Sequence, residues 1–259
     1  MQIWQAIVLG FTQGFTEFLP VSSSGHLALM QKFLGLDAEK YLLFDLALHL
    51  ATLIPVIFAF RKSIFKILRP PFNGVWLILI ATIPAVVIGL TLGDLVENAF
   101  GNIYFLIFGF FVTAIILFVA ETVYKSKRKF VSPTVKTSLI TGFAQALAVF
   151  PAFSRSGLTI STGCLLGVNK SENAEFSFLM SIPIILGGCI IKGVETVSFA
   201  SIPVGVLPLV LGMFSAFISG YISVSLMVEI IKKANFKVFS IYLIILSLAL
   251  LILSLCKVI

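Results

Sequence analysis

Hydrophobic and polar positions along this chain fall into long apolar runs separated by short polar punctuation. Full-length apolar segments lie near residues 41–60, 74–92, 103–124, 176–192, 203–229 and 238–258. Residues 70–93, 98–120 and 196–228 contain no Asp, Glu, Lys or Arg. About 20 apolar residues are enough for a helix to cross a bilayer. Strands of a membrane barrel would alternate in polarity over about 10 residues, and these runs do not. The pattern predicts an all-α polytopic membrane protein with about six spanning helices.

Two stretches break the pattern. Residues 1–36 are interrupted by Gln13, Glu17, Pro20, Ser22, Ser23, Ser24, Gly25 and His26, and residues 137–168 by Gln145, Pro151, Ser154, Arg155, Ser156 and Gly157. Each reads as a short apolar helix, a polar Pro/Ser/Gly elbow and a second short helix. The two also resemble each other. With a one-residue shift between Gln and Pro, the order Gly, Phe, Gln, Pro, Ser, Ser, Gly recurs in 10–25 and 142–157. A second echo sets Thr82-Ile83-Pro84 or Leu53-Ile54-Pro55 against Ser181-Ile182-Pro183. Repetition of this kind points to an internal duplication, with halves at approximately 1–124 and 137–259 inside one integral membrane domain spanning 1–259.

Composition agrees with the bilayer as solvent. Of 259 residues, 59% are hydrophobic and 11% charged, and the mean hydropathy is +1.13. A soluble domain has about 45–50% apolar and about 25% charged residues. Disorder, disulfide scaffolds and secreted domains are excluded. Cys164, Cys189 and Cys256 lie in apolar segments without a CxxC and read as small packing residues. The first sixteen side chains carry no charge, so the basic start of a cleavable leader is missing and insertion is expected from internal helices.

The net charge of +7 adds orientation. Basic residues gather in short segments: Arg61, Lys62, Lys66 and Arg69; Lys125, Lys127, Arg128 and Lys129; Lys232, Lys233 and Lys237. The positive-inside rule places 61–69, 125–136 and 232–237 in the cytoplasm. Nucleic-acid binding is not expected, because no folded module carries these charges on one face. Counting spans from the basic segments, residues 1–40 begin and end outside, whereas 137–172 begin and end inside. Each elbow is then a re-entrant helix pair, and the two enter from opposite faces, an inverted-topology repeat. Irregular backbone at membrane depth must line a polar cavity or be buried in protein, so the site is expected where the elbows meet.

The chemistry concentrates in the elbows. Glu17 is an intramembrane carboxylate, a functional residue by default. Gln13 lies one turn earlier on the same helix face, and its amide carbonyl can ligate a metal. His26 follows Ser22-Ser23-Ser24-Gly25 and can turn back toward Glu17, with a proton affinity suited to transfer near neutral pH. His49, beside Asp45 in a spanning segment, reads as structural or as an outer partner. Arg155 is the only charged side chain between Lys136 and Lys170. A guanidinium there needs an anion: Glu17 internally, or a phosphate held bidentately. Ser22, Ser24, Ser154, Ser156, Thr159 and the free N–H groups of the following helix add donors, although Ser- and Gly-rich elbows also serve as plain turns. Oxygen ligands for a hard cation beside an anion cradle suggest a metal bridging carboxylate and phosphate. The cradle lies in the membrane, so the phosphate is expected on a lipid.

On these residues a resemblance becomes specific. Gln13-Gly14-Phe15-Thr16-Glu17-Phe18-Leu19-Pro20-Val21-Ser22-Ser23-Ser24-Gly25-His26 resembles the first signature of the undecaprenyl-diphosphate phosphatase (bacitracin-resistance) family. Pro151-Ala152-Phe153-Ser154-Arg155-Ser156-Gly157-Leu158-Thr159 resembles its second, usually written PGxSRSGxT. Phe176 to Pro183 and Ser215 to Tyr221 are similar to its later segments. The resemblance implies hydrolysis of undecaprenyl diphosphate to undecaprenyl phosphate and phosphate, recycling the carrier lipid of peptidoglycan synthesis. It also implies bacitracin resistance, a divalent cation (Mg2+ or Ca2+), a place in the cytoplasmic membrane and a site open to its outer side. A homodimer is compatible with it. By position, Gln13 and Glu17 fill the family's (E/Q)xxxE pair and His26 its catalytic His. Ser22 and Ser23 fill the signature serines, and Ser154, Arg155, Ser156 and Thr159 the phosphate-binding signature. Ala152 stands where Gly is usual. Either the turn does without the positive φ that Gly permits, or this elbow differs in backbone. The nucleophile stays open: a hydroxyl of Ser23, Ser22 or Ser154, or a water activated by Glu17 or His26. A lipid-phosphate flippase is the rival reading, since inverted repeats of broken helices also build transporters. A membrane scaffold gives Glu17 and Arg155 no reason to lie in apolar surroundings.

Overall fold

A computed structural model describes residues 1–37, 40–126, 131–197, 204–233 and 235–258. It is all-helical, and among the described residues the only β pairing is an isolated bridge between Val131 and Val168. The first elbow is α1 (Ile3–Phe18) and α2 (Ser23–Phe33). Then come α3 (Leu42–Ala59), a short α4 (Arg61–Ile67), α5 (Asn73–Thr91), a short α6 (Gly93–Gly101) and α7 (Ile103–Ser126). The second elbow is α8 (Val135–Leu147) and α9 (Arg155–Leu166), followed by α10 (Lys170–Val197), α11 (Val206–Lys233) and α12 (Lys237–Leu255). Six of these, α3, α5, α7, α10, α11 and α12, are long and apolar enough to cross a membrane. The chain is a polytopic membrane protein.

The six spans match the apolar runs, with two differences. The segments read as loops at 61–69 and 94–97 contain the short helices α4 and α6. α10 begins at Lys170 rather than near 176, because Lys170, Glu172 and Glu175 in its first turns hide it from a hydropathy reading. The basic cluster Lys127, Arg128 and Lys129 lies outside the described residues.

Packing is organised around the two broken pairs. α1 runs along α11 and α8 runs along α5; α3 packs on α11 and α10 packs on α5; α3 meets α10, and α7 meets α12. Close approach sets the first two contacts. A Cβ on Gly10 would collide with the Gly212 carbonyl, and one on Gly142 would lie 2.6 Å from the Ala81 carbonyl oxygen. The inner faces bury Phe18, Phe110, Phe178, Leu117, Met227 and Leu243. The outer faces carry Phe58, Trp76, Phe108 and Ile190. In water such exposed apolar area would be a liability; in a bilayer it is the lipid contact.

The first elbow breaks at its proline. Pro20 disfavours a helical residue before it, and Leu19 ends α1 in extended backbone. The chain then turns through Ser22 at φ 69°, and in the second elbow through Ala152 at φ 64°. The turn thus does use the left-handed conformation, and Ala152 holds it without Gly. That conformation strains an L residue by about 1–2 kcal/mol. Ala152 is also fully buried, so Ala152→Gly relieves strain but loses a methyl worth about 0.8 kcal/mol and gains unfolded-state entropy worth about 0.4–1 kcal/mol. These terms offset each other, and A152G is expected to melt within about 1 kcal/mol of wild type. Ala152→Val, branched and overpacked, is expected to fall by about 2 kcal/mol or more. A thermal melt in detergent that ranks Val at or above Gly would contradict the strained turn.

Candidate active site

The elbows place the first residues of two helices at one carboxylate. Ser22 caps α2 by accepting from the Gly25 N–H at 3.3 Å, and Ser154 caps α9 by accepting from the Gly157 N–H at 3.0 Å. In each cap a second serine hydroxyl lies 3.3 Å away: Ser24 beside Ser22, and Ser156 beside Ser154. Ser23 and Arg155 therefore open their helices, and both reach Glu17. The Ser23 hydroxyl donates to Glu17 Oε2 at 2.6 Å. The Arg155 guanidinium donates to Glu17 Oε1 as an ion pair. Ser156 ties the elbows together by donating to the Leu19 carbonyl at 2.9 Å. Two helix N-termini, each favouring negative charge, thus converge where the sequence contributes a carboxylate and a guanidinium.

Glu17 is 5% exposed, and two further polar side chains reach it, Gln13 and His49. Gln13 Nε2 donates to Oε2 at 2.9 Å, leaving Gln13 Oε1 buried without a partner among the described residues. His49 Nε2 stands 3.9 Å from Oε2. The carboxylate is therefore balanced by one guanidinium and lined by one hydroxyl, one amide and one imidazole. An oxygen set with an orphaned amide carbonyl suits a hard divalent cation. Among the described residues no three of His, Cys, Asp and Glu converge as a ready-made metal cage.

The structure separates the other residues named from sequence. His26 lies one turn into α2, its Nδ1 2.8 Å from the Ser22 carbonyl oxygen and its Nε2 2.7 Å from the Tyr242 hydroxyl. Its ring stacks on Tyr242 and meets the edge of Phe110, so both nitrogens are engaged away from Glu17. Thr159 is fully buried and donates to the Arg155 carbonyl at 2.7 Å, which steadies the first turn of α9 beneath the guanidinium. His49 is the residue the sequence undervalued. Nothing in its spacing announces contact with Glu17, which depends on α3 packing against α1.

An open groove of about 400 Å³ lies against the far side of the second elbow, lined by Leu147, Phe150, Phe153 and Phe105, with Asn98 and Asn102 beside them. Among the described residues no ionisable side chain lines it, whereas Glu17 and Arg155 meet at the junction of the two elbows.

Comparison with known proteins identifies the family. The model of bacitracin resistance protein BacA matches residues 6–249. An undecaprenyl-diphosphatase of Carboxydothermus hydrogenoformans is 41% identical over 257 residues, covering 98% of each chain. An undecaprenyl-diphosphatase of Methanobrevibacter smithii is 35% identical, covering 93% of this chain and 94% of its own. Undecaprenyl-diphosphatase 4 of Bacillus cereus is 38% identical, covering 92% of each.

Proposed function

The chain belongs to the bacitracin resistance protein BacA family, and on that premise we propose that it is a membrane undecaprenyl-diphosphatase. It hydrolyses undecaprenyl diphosphate to undecaprenyl phosphate and inorganic phosphate, which returns the carrier lipid to cell-wall synthesis. The observation that carries this reading is the single carboxylate, Glu17, reached by the first residue of both elbow helices.

At rest Arg155 and Glu17 neutralise each other in an apolar interior. A diphosphate carries more negative charge than a carboxylate and competes for the guanidinium, which can grip two of its oxygens. The N–H groups and hydroxyls at the starts of α2 and α9 surround the same phosphate. Ser23, hydrogen-bonded to Glu17, has the geometry of a nucleophile beside its base. Its proton passes to Glu17, its oxygen bonds to the terminal phosphorus, and the bridging P–O bond breaks to release undecaprenyl phosphate. Water then cleaves the phosphoserine, giving inorganic phosphate and restoring the hydroxyl. Gln13 and Glu17 are the residues that would hold a divalent cation, and the orphaned Gln13 Oε1 supports that assignment. When bound, the cation supplies charge neutralisation to the diphosphate. Purified protein is expected to release phosphate from undecaprenyl diphosphate. Translocation of lipid without phosphate release would favour the flippase reading instead.

The inverted repeat and the outward opening belong to the same reading. The pairing of α1 with α11 and of α8 with α5, and of α3 with α11 and of α10 with α5, supports two halves related by a two-fold exchange. That exchange matches α3 with α10, so Leu53-Ile54-Pro55 is the counterpart of Ser181-Ile182-Pro183. The basic residues of α4 support a cytoplasmic α4 by the positive-inside rule, with α6 on the outer side. In a cysteine-free variant, Asn98→Cys is expected to react with an impermeant thiol reagent in intact cells, and Lys62→Cys only after permeabilisation. Labelling of the Lys62 position in intact cells would overturn this orientation and the inverted repeat with it.

A further inference from the structure

We propose that His49 supplies a nitrogen donor to the same cation that Gln13 and Glu17 hold, a ligand from α3 that lies outside both signature segments. The inference rests on the cation reading of the site given above.

Ring chemistry assigns the two nitrogens of His49. Nδ1 lies 2.8 Å from the Asp45 carbonyl oxygen. A carbonyl only accepts, so Nδ1 carries a proton and donates. In the neutral imidazole Nε2 then presents its lone pair. This is the arrangement in which a backbone carbonyl fixes the tautomer of a metal-binding histidine. Nε2 faces Glu17 Oε2 at 3.9 Å, too far for a hydrogen bond. Two donors each about 2.0–2.2 Å from one ion lie at most about 4.4 Å apart, so the separation admits a shared ion. Among the described residues Nε2 has no hydrogen-bond partner, and the imidazole is partly exposed.

A second observation points the same way. Gln13 is fully buried, and among the described residues its Oε1 has no partner although its Nε2 touches the same Glu17 oxygen. A buried acceptor with nothing to accept from, on an amide that donates to the carboxylate His49 faces, is the polar deficit a cation removes. His26 provides the contrast. Its Nδ1 is likewise bound to a carbonyl, but its Nε2 is taken by the Tyr242 hydroxyl. An imidazole in the ligand set also shifts preference away from Ca2+, which takes oxygen ligands, and toward the later transition metals; Mn2+ suits the carboxylate and carbonyl oxygens of the same set and is paramagnetic, so it reports a coordinated nitrogen.

Mn2+ is therefore the probe. Untagged protein in detergent is loaded with Mn2+ and read by pulsed electron paramagnetic resonance for nitrogen coupled to the ion. The chain has two histidines, so labelling histidine alone with nitrogen-15 separates imidazole from amide and guanidinium nitrogen. A histidine coupling is expected in wild type and in His26→Gln, and is expected to vanish in His49→Gln, with Mn2+ binding weakened at least tenfold. Should His49→Gln fail to fold, the labelled wild type and His26→Gln still decide the assignment. Bound Mn2+ with no histidine coupling, or a coupling lost in His26→Gln, would overturn the role of His49 and leave the cation reading standing. Failure of Mn2+ to bind wild type, or binding indifferent to Glu17→Gln, would overturn both.

Discussion

Glu17→Gln is expected to lower turnover by about 10²–10⁴-fold, the range for loss of a general base. The amide keeps the shape of the carboxylate and can still accept from Ser23, so position survives while charge and basicity do not. The same change leaves the Arg155 guanidinium buried without its counter-ion, and removing one partner of a buried pair destabilises by about 3–5 kcal/mol. A lower melting temperature is thus expected alongside lost activity, and the two must be separated. The double variant Glu17→Gln with Arg155→Met removes both charges. It is expected to recover much of the stability and none of the turnover. If the single variant keeps activity within about threefold of wild type, a difference of roughly 0.65 kcal/mol, Glu17 is a bystander.

Arg155→Lys comes next in size. It keeps the positive charge, so Glu17 retains a counter-ion. It loses the planar fork that grips two phosphate oxygens, because an ammonium is a point donor. A hydrogen bond to a charged group contributes about 1.5–3 kcal/mol. Losing one or two should lower kcat/KM by roughly 10- to 10⁴-fold, at 1.36 kcal/mol per decade. A fork that tightens on the transition state lowers kcat, whereas one that holds only the ground state raises KM. Steady-state phosphate release at saturating cation measures both. A folded Lys variant within about twofold of wild type, about 0.4 kcal/mol, would reduce Arg155 to a structural partner of Glu17.

Glu17 and Arg155 could be found in the sequence because each is a lone charge in apolar surroundings, where the cost of burial demands a role. Their contact, across 138 positions, could be expected only because two similar elbows had to hide irregular backbone together. The spans were legible because uninterrupted apolar runs of that length have few other solutions. α4 and α6 were not, since a helix of two or three turns carries too few apolar positions to set a period and its charges read as loop. Ala152 shows the limit for backbone: the residue type argued against a positive φ, and tertiary packing imposed it. The histidines show the limit for side chains. His26 has the motif position, yet Tyr242, 216 positions away, takes its free nitrogen. His49 had no motif, and the packing of α3 on α1 delivers it to Glu17.

The most direct test of the account is phosphorus NMR of undecaprenyl diphosphate incubated with purified protein, wild type and Glu17→Gln in parallel. With wild type the diphosphate resonances should give way to equal amounts of inorganic phosphate and lipid monophosphate, while the Glu17→Gln sample stays essentially unchanged over the same period. Equal rates in the two samples, or no phosphate release from folded wild type, would contradict a diphosphatase site at the junction of the two elbows.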